Sequence, residues 1–134
     1  MSILRHFVPK RIRAPFARYS HAVEIPPGAR LLFCSGQLGI TAHDAIPDSA
    51  EAQATLCFEA IGACLDEAGM TFADIVRINA YVTDRAFMAP YMAVRDRYVA
   101  VPPPASTLVI VSGFTRPEFK VEVEAIAAKA DAQA

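Results

Sequence analysis

Strict alternation of apolar and polar residues marks two segments of this chain as β-strands. In Asp74 to Thr83 every second residue is apolar, and Lys120 to Ala127 begins with the same period. Such strands bury one face against the core and turn the other face outward. The outward face of the second segment carries Glu122, Glu124 and Ile126. Two interpretations remain open: both acids face solvent, or one of them lines a pocket between chains and exchanges a proton.

A period of 3.6 residues predicts two helices. The first extends from Ala50 to Ala68, with Asp48 or Ser49 as its cap and Gly69 as its stop. The second extends from Phe87 to Val99, with a proline in its first turn. The apolar stripe of the first helix consists of Cys57, Ile61, Cys64, Leu65 and Ala68. Its two cysteines are therefore expected to fill the core, as is Cys34 in its apolar setting.

Three further segments complete the predicted order of elements. Tyr19 to Ile25 and Leu31 to Cys34 are expected to be strands, and Ser35-Gly36-Gln37 is expected to leave the second one. Thr107 to Val111 is β-branched and apolar, and we expect it to form a terminal hairpin with the strand that carries Glu122. Residues 1–16 are predicted to be an irregular N-terminal arm. The order β-β-α-β-α-β-β within one domain, residues 1–134, predicts an α+β fold with both helices on one side of a mixed sheet.

Composition narrows the classes of function. The chain has 134 residues, 54% of them hydrophobic, and a net charge of −1. This gives no electrostatic reason to expect nucleic acid or an anionic membrane as partner. No apolar run approaches the ~20 residues of a membrane span, and no secretory signal is evident, so we expect a cytoplasmic protein. Three cysteines without a C-x-x-C pair and three dispersed histidines predict reduced thiols and no metal site. The apolar content favours a homo-oligomer.

Several short motifs in a fixed order resemble the RidA (YjgF) family of reactive-intermediate deaminases. The motifs are Pro15 and Tyr19, Ser35-Gly36-Gln37-Leu38-Gly39, Leu65-Asp66-Glu67-Ala68-Gly69, Asp74-Ile75-Val76, Tyr81-Val82-Thr83-Asp84, Pro104-Ala105, and Val121-Glu122-Val123-Glu124-Ala125-Ile126-Ala127. The resemblance covers roughly residues 15–128. It implies a chorismate-mutase-like (YjgF-like) fold and a homotrimer with pockets at the subunit interfaces. It also implies a small-molecule substrate and no metal or cofactor.

The resemblance assigns roles to particular residues. Well-known members of the family hydrolyse enamines and imines of 2-amino acids to 2-keto acids and ammonia. Glu122 matches the glutamate that positions the attacking water in those members. Ser35 and Gly36 match ligand-contacting positions, and Tyr19 matches the aromatic residue that closes the pocket. Tyr91 falls where a polar contact to the ligand is expected.

The resemblance breaks at Ser106. The imine-hydrolysing members carry an arginine directly after the Pro-Ala pair, and it binds the substrate carboxylate, whereas this chain has Ser106 followed by Thr107. A guanidinium binds a carboxylate through two charge-assisted hydrogen bonds, and a hydroxyl offers one neutral donor. Ser106, together with Thr107, is therefore expected to bind a less anionic substrate, unless Arg18 or Arg116 reaches the site.

Two functions from different classes follow. The first is a hydrolytic deaminase or hydrolase that acts on a small imine, enamine or carbonyl metabolite, with Glu122 as its catalytic residue. The second is a non-catalytic trimer that binds or senses a small metabolite. A chorismate-type rearrangement would need several cations facing a dicarboxylate, and the missing arginine argues against it.

Overall fold

The computed structural model describes residues 3–130, which form a mixed sheet, two α-helices and a small N-terminal β-hairpin. Two single 3₁₀ turns, Phe72–Asp74 and Arg85–Phe87, precede β4 and α2. The elements in chain order are β1 (Arg5–Phe7), β2 (Ala22–Glu24), β3 (Arg30–Leu38), α1 (Ala50–Glu67), β4 (Ile75–Val82), α2 (Met88–Tyr98), β5 (Ala105–Ile110) and β6 (Val121–Lys129).

The main sheet has the strand order β3-β6-β4-β5. Strand β6 is antiparallel to both of its neighbours, and β4 and β5 are parallel. Helix α1 packs on β3 and β6, and α2 packs on α1. The predicted α+β class, with two helices on one face of a mixed sheet, is confirmed.

The predicted terminal hairpin is wrong. Strands β5 and β6 lie on opposite sides of β4 and do not pair with each other. The reason is the connection through α2, because a helical crossover brings β5 back parallel to β4, along its free edge. The loop of residues 111–120 then carries the chain to the other side of β4, where β6 fills the space beside β3.

Three features of the N-terminal part of the chain also differ from the prediction. The arm contains β1, whose Arg5 pairs in register with Glu24 of β2 and also forms an ion pair with it at 3.1 Å. The strand expected over Tyr19 to Ile25 is reduced to Ala22–Glu24. Strand β3 does not end at Cys34, because β6 continues to pair with it on both sides of a bulge between Cys34 and Gln37.

The core lies between the helices and the inner face of the sheet. Ser49 caps α1 by accepting a hydrogen bond from the Ala52 amide at 3.0 Å. On the core face of this helix, the ring of Phe58 stacks on Tyr91 and Tyr98 of α2, with centroids 6.0 Å and 5.2 Å apart. Cysteines 34 and 57 are buried in this cluster, as expected for packing residues. No helix within residues 3–130 has the length and apolarity needed to cross a membrane.

Candidate functional site

The predicted site residues form two groups on opposite faces of the main sheet. Glu122 lies in register with Tyr81 of β4, and Ser106 lies in register with Ile78 of the same strand. Ile78 is fully buried under the helices, whereas Tyr81 lies on the outer face. Because successive side chains of a strand point to opposite faces, Ser106 lies on the helix side and Glu122 on the outer side.

The outer group consists of Ser35, Gly36 and Glu122, and we call it the sheet-face group. Gly36 lies in the bulge of β3, directly against the Glu122 side chain. A Cβ atom added to Gly36 would collide with Oε2 and the carboxyl carbon of Glu122. A side chain at this position would therefore displace the Glu122 carboxylate from where it lies in the structure. The structure brings these three predicted residues together.

Glu122 has a perturbed carboxyl group. Partial burial raises its pKa, and the neighbouring Glu124 raises it further. Glu124 itself accepts a hydrogen bond from the Tyr81 hydroxyl, and this bond is the main cause of a raised pKa for Tyr81. A carboxylate whose pKa is shifted toward neutrality is suited to accept a proton from water and return it.

The second group lines a cavity of about 370 Å³ between the N-terminal segment, α2 and β5. We call it the helix-side pocket. Its lining residues are Phe16, Ala17, Tyr19, Met88, Met92, Arg95, Ser106 and Leu108. The Tyr19 hydroxyl accepts a hydrogen bond from the Phe16 amide at 3.1 Å, which leaves its own proton available to a ligand. The walls are otherwise mainly apolar, as in most small-molecule sites.

Arg95 is the charged residue of this pocket, and the sequence did not identify it as a site residue. It is only 3% exposed, and its Nε and Nη2 atoms donate to Oδ1 of Asp96 at 3.1 Å and 3.0 Å. A signal was present in the sequence, because Arg95 follows Met88 and Met92 at the seven- and three-residue spacings of one helix face. The spacing could not show which face of α2 is buried.

The other predicted residues lie elsewhere. Tyr91 is fully buried in the core, and its hydroxyl has no hydrogen-bond partner within residues 3–130. Thr107 lies on the outer face, where its hydroxyl accepts a hydrogen bond from Nη2 of Arg77 at 2.6 Å. Ser106 and Thr107 therefore do not line the same pocket of one chain.

Neither arginine named as a replacement cation lines the helix-side pocket. Arg18 donates from Nη1 to the main-chain carbonyl of Asp96 at 3.1 Å. Arg116 is exposed, and its guanidinium lies 5.9 Å from the centre of the Phe119 ring. In the part of the chain that the structure describes, no three His, Cys, Asp or Glu side chains are grouped as they would be to hold a metal ion.

Known proteins of one family are similar to this chain in sequence and in fold. The family model described as Endoribonuclease L-PSP matches residues 10–129. Protein DfrA of Myxococcus xanthus is 34% identical over 111 residues, which is 81% of this chain and 83% of that protein. The RutC family protein YjgH of Escherichia coli is 33% identical over 109 residues, 79% of this chain and 80% of that one. The crystal structure of YyfB from Yersinia pestis, a member of the conserved Rid protein family, superposes with a TM-score of 0.82 at 27% identity and covers 94% of this chain and 98% of that one. The YjgF-like fold is thereby confirmed.

Proposed function

Because the chain belongs to the RidA/YjgF family, whose Endoribonuclease L-PSP model spans nearly all of it, we propose that it is a homotrimeric hydrolase of small imine, enamine or carbonyl metabolites. Each active site lies between two copies of the chain. The proposal rests on one observation. Glu122 and the pocket with Tyr19 and Ser106 lie on opposite faces of the sheet, so the two can meet only between copies of the chain.

A second copy of the chain completes the site. The helix-side pocket supplies the walls and the hydroxyls of Tyr19 and Ser106, and the sheet-face group of a neighbouring copy supplies Glu122. Apolar side chains on the outer face of the sheet support this contact, since Phe33 is 69% and Val109 is 41% exposed in the single chain. Apolar surface of this kind favours burial against another protein surface.

The proposed reaction needs only water and one carboxylate. The Glu122 carboxylate takes a proton from water as the water oxygen forms a bond to the carbon of the C=N group. The nitrogen receives a proton, and the resulting carbinolamine collapses to a C=O bond as ammonia leaves. The sum is imine plus water giving a carbonyl compound plus ammonia. The raised pKa of Glu122 supports its role in this proton transfer.

The test is a coupled assay in which an amino-acid oxidase generates imines and the release of keto acid is timed. We expect Glu122→Gln to abolish the acceleration, while light scattering shows the same oligomer as the wild type. Glu59→Gln is the matched control, because Glu59 is an exposed carboxylate on α1 that lines neither part of the site. Unchanged turnover in Glu122→Gln would reject the proposed role of this residue.

The alternative is a trimer that binds a small metabolite without converting it. The serine at position 106, where the resemblance leads one to expect an arginine, favours this alternative because it removes a substrate-gripping cation. Wild-type protein that binds small ligands but accelerates no imine hydrolysis would support it.

A further inference from the structure

We propose that Arg95 is the anion-binding residue of the helix-side pocket and that the pocket takes a monocarboxylate with an apolar substituent. This inference rests on the proposed function, because it concerns the ligand of the same site. It replaces the expectation of a less anionic substrate, which followed from Ser106 alone. The cation comes from α2 instead of from β5.

The geometry of Arg95 leaves a binding edge free. Asp96 engages the edge formed by Nε and Nη2. Nη1 makes no hydrogen bond within residues 3–130, so the opposite end of the guanidinium offers parallel N–H groups, one on each terminal nitrogen. That arrangement matches the two oxygens of a carboxylate. Asp96 meanwhile holds the plane of the guanidinium and limits the cost of burying its charge.

The surroundings of Arg95 define the rest of the ligand. Ser106 and Tyr19 are the polar side chains that share the pocket with it, and both can donate a neutral hydrogen bond. Met88, Met92 and Leu108 form apolar walls within the cavity of about 370 Å³. Arg95 can therefore pair with one anionic group of the ligand, whereas a second anionic group would lie against apolar side chains without a partner.

A structural role for Arg95 makes a different prediction. Its guanidinium carbon lies 5.9 Å from the centre of the Tyr91 ring, so the residue also contributes to the packing of α2. If packing were its only role, its replacement would lower stability and would affect charged and uncharged ligands equally. The comparison of two such ligands separates the two roles.

The experiment measures the binding of isovalerate and of its uncharged amide, isovaleramide, by calorimetry at low salt. In the wild type we expect the acid to bind roughly 10-fold to 100-fold more tightly than the amide, the gain of a charge-assisted hydrogen-bond pair. Arg95→Met should abolish this preference and leave amide affinity within about twofold, since only the charged contact is lost. Arg97→Met is the matched control: it removes the same charge from an exposed arginine of α2 that pairs with Glu51, and the preference should persist.

An acid preference that survives in folded Arg95→Met would overturn the inference, as would an equal loss of acid and amide binding. If Arg95→Met does not fold, Arg95→Lys takes its place, because a point charge cannot reproduce the two-pronged contact. A several-fold loss of preference in Arg95→Lys supports the inference, and unchanged acid binding overturns it. Neither ligand is hydrolysed by C=N chemistry, so the result does not depend on turnover. An absent acid preference combined with Glu122-dependent hydrolysis rejects only the role of Arg95, and the reverse combination rejects only the proposed reaction.

Discussion

Two inactive variants of this protein should restore activity when they assemble together. Glu122→Gln removes the proposed proton acceptor from the sheet-face group, and Ser106→Trp fills much of the cavity of about 370 Å³ with an indole. Each variant alone should be inactive. Since the two groups lie on opposite faces of one sheet, a site between copies can combine an intact Glu122 from one chain with an intact pocket from the next.

The expected rate of the mixture follows from the three-fold symmetry of a trimer. In a trimer with three equivalent head-to-tail interfaces, random assembly of equal amounts of the two variants leaves about one quarter of the interfaces with both parts intact. The mixture should therefore show roughly a quarter of the wild-type rate per chain, provided that the sites act independently. The two chains are co-expressed with different tags, purified through both tags in succession, and tested in the coupled imine assay, with the expected rate corrected for the loss of pure trimers.

The matched control replaces Ser106→Trp with a chain that carries both substitutions. No interface in that mixture has an intact Glu122, so it should remain inactive. If the mixed variants show only the sum of their separate activities, while light scattering confirms mixed trimers, each site lies within one chain and the proposed arrangement is refuted. A rate well above the expected quarter of the wild-type rate would instead indicate that one of the two single variants retains activity by itself.

Three further predictions concern single residues. Ser106→Arg, made in the Arg95→Met variant so that the helix-side pocket has lost its own cation, should raise hydrolysis of free 2-imino acids by roughly 10-fold or more over Arg95→Met alone in the coupled assay; no gain in an intact oligomer would favour the non-catalytic alternative. Tyr91→Phe removes a buried hydroxyl without a partner in residues 3–130, so urea unfolding should show a gain of about 1 kcal/mol in the free energy of unfolding. A loss of stability, or a loss of turnover, would show that this hydroxyl has a partner in the assembled protein. Because the folded-state pKa of Glu122 is raised, the folded state favours its protonated form and loses stability as pH rises through that pKa. Glu122→Gln should therefore raise the melting temperature at neutral pH and have little effect in acid; an equal shift at both pH values would contradict the raised pKa.

The spacing of apolar residues predicted the individual strands and helices, but not how the strands pair. The alternation in β4 and β6 and the stripe of α1 are properties of a single segment, and the structure confirms them. The pairing of β5 with β4 depends on how α2 crosses the sheet, which no short window of sequence records. Strand β1 has three residues, too few to establish a period.

The same difference between local pattern and three-dimensional packing explains which site residues the sequence identified and which it missed. The resemblance identified Ser35, Gly36 and Glu122, and the structure places them in contact or as neighbours because β3 pairs with β6. Arg95 was missed because a charged residue within a helix is usually exposed, and only the folded chain shows that this one is buried, in the cavity between the N-terminal segment, α2 and β5. The resemblance places Tyr91 at a contact with the ligand, whereas its position on α2 directs its side chain into the core.

The position of β6 inside the sheet has a consequence for how the chain reaches its folded form. This strand is later in the chain than its two neighbours, yet it alone joins β3 to the β4–β5 pair. Until residues 121–129 are available, β3 has no partner in the main sheet, the β4–β5 pair has an open edge that favours aggregation, and no strand hydrogen bonds connect β3 to that pair. The main sheet therefore cannot form as a whole before β6 is available, and the acid proposed for chemistry lies on the strand that completes it.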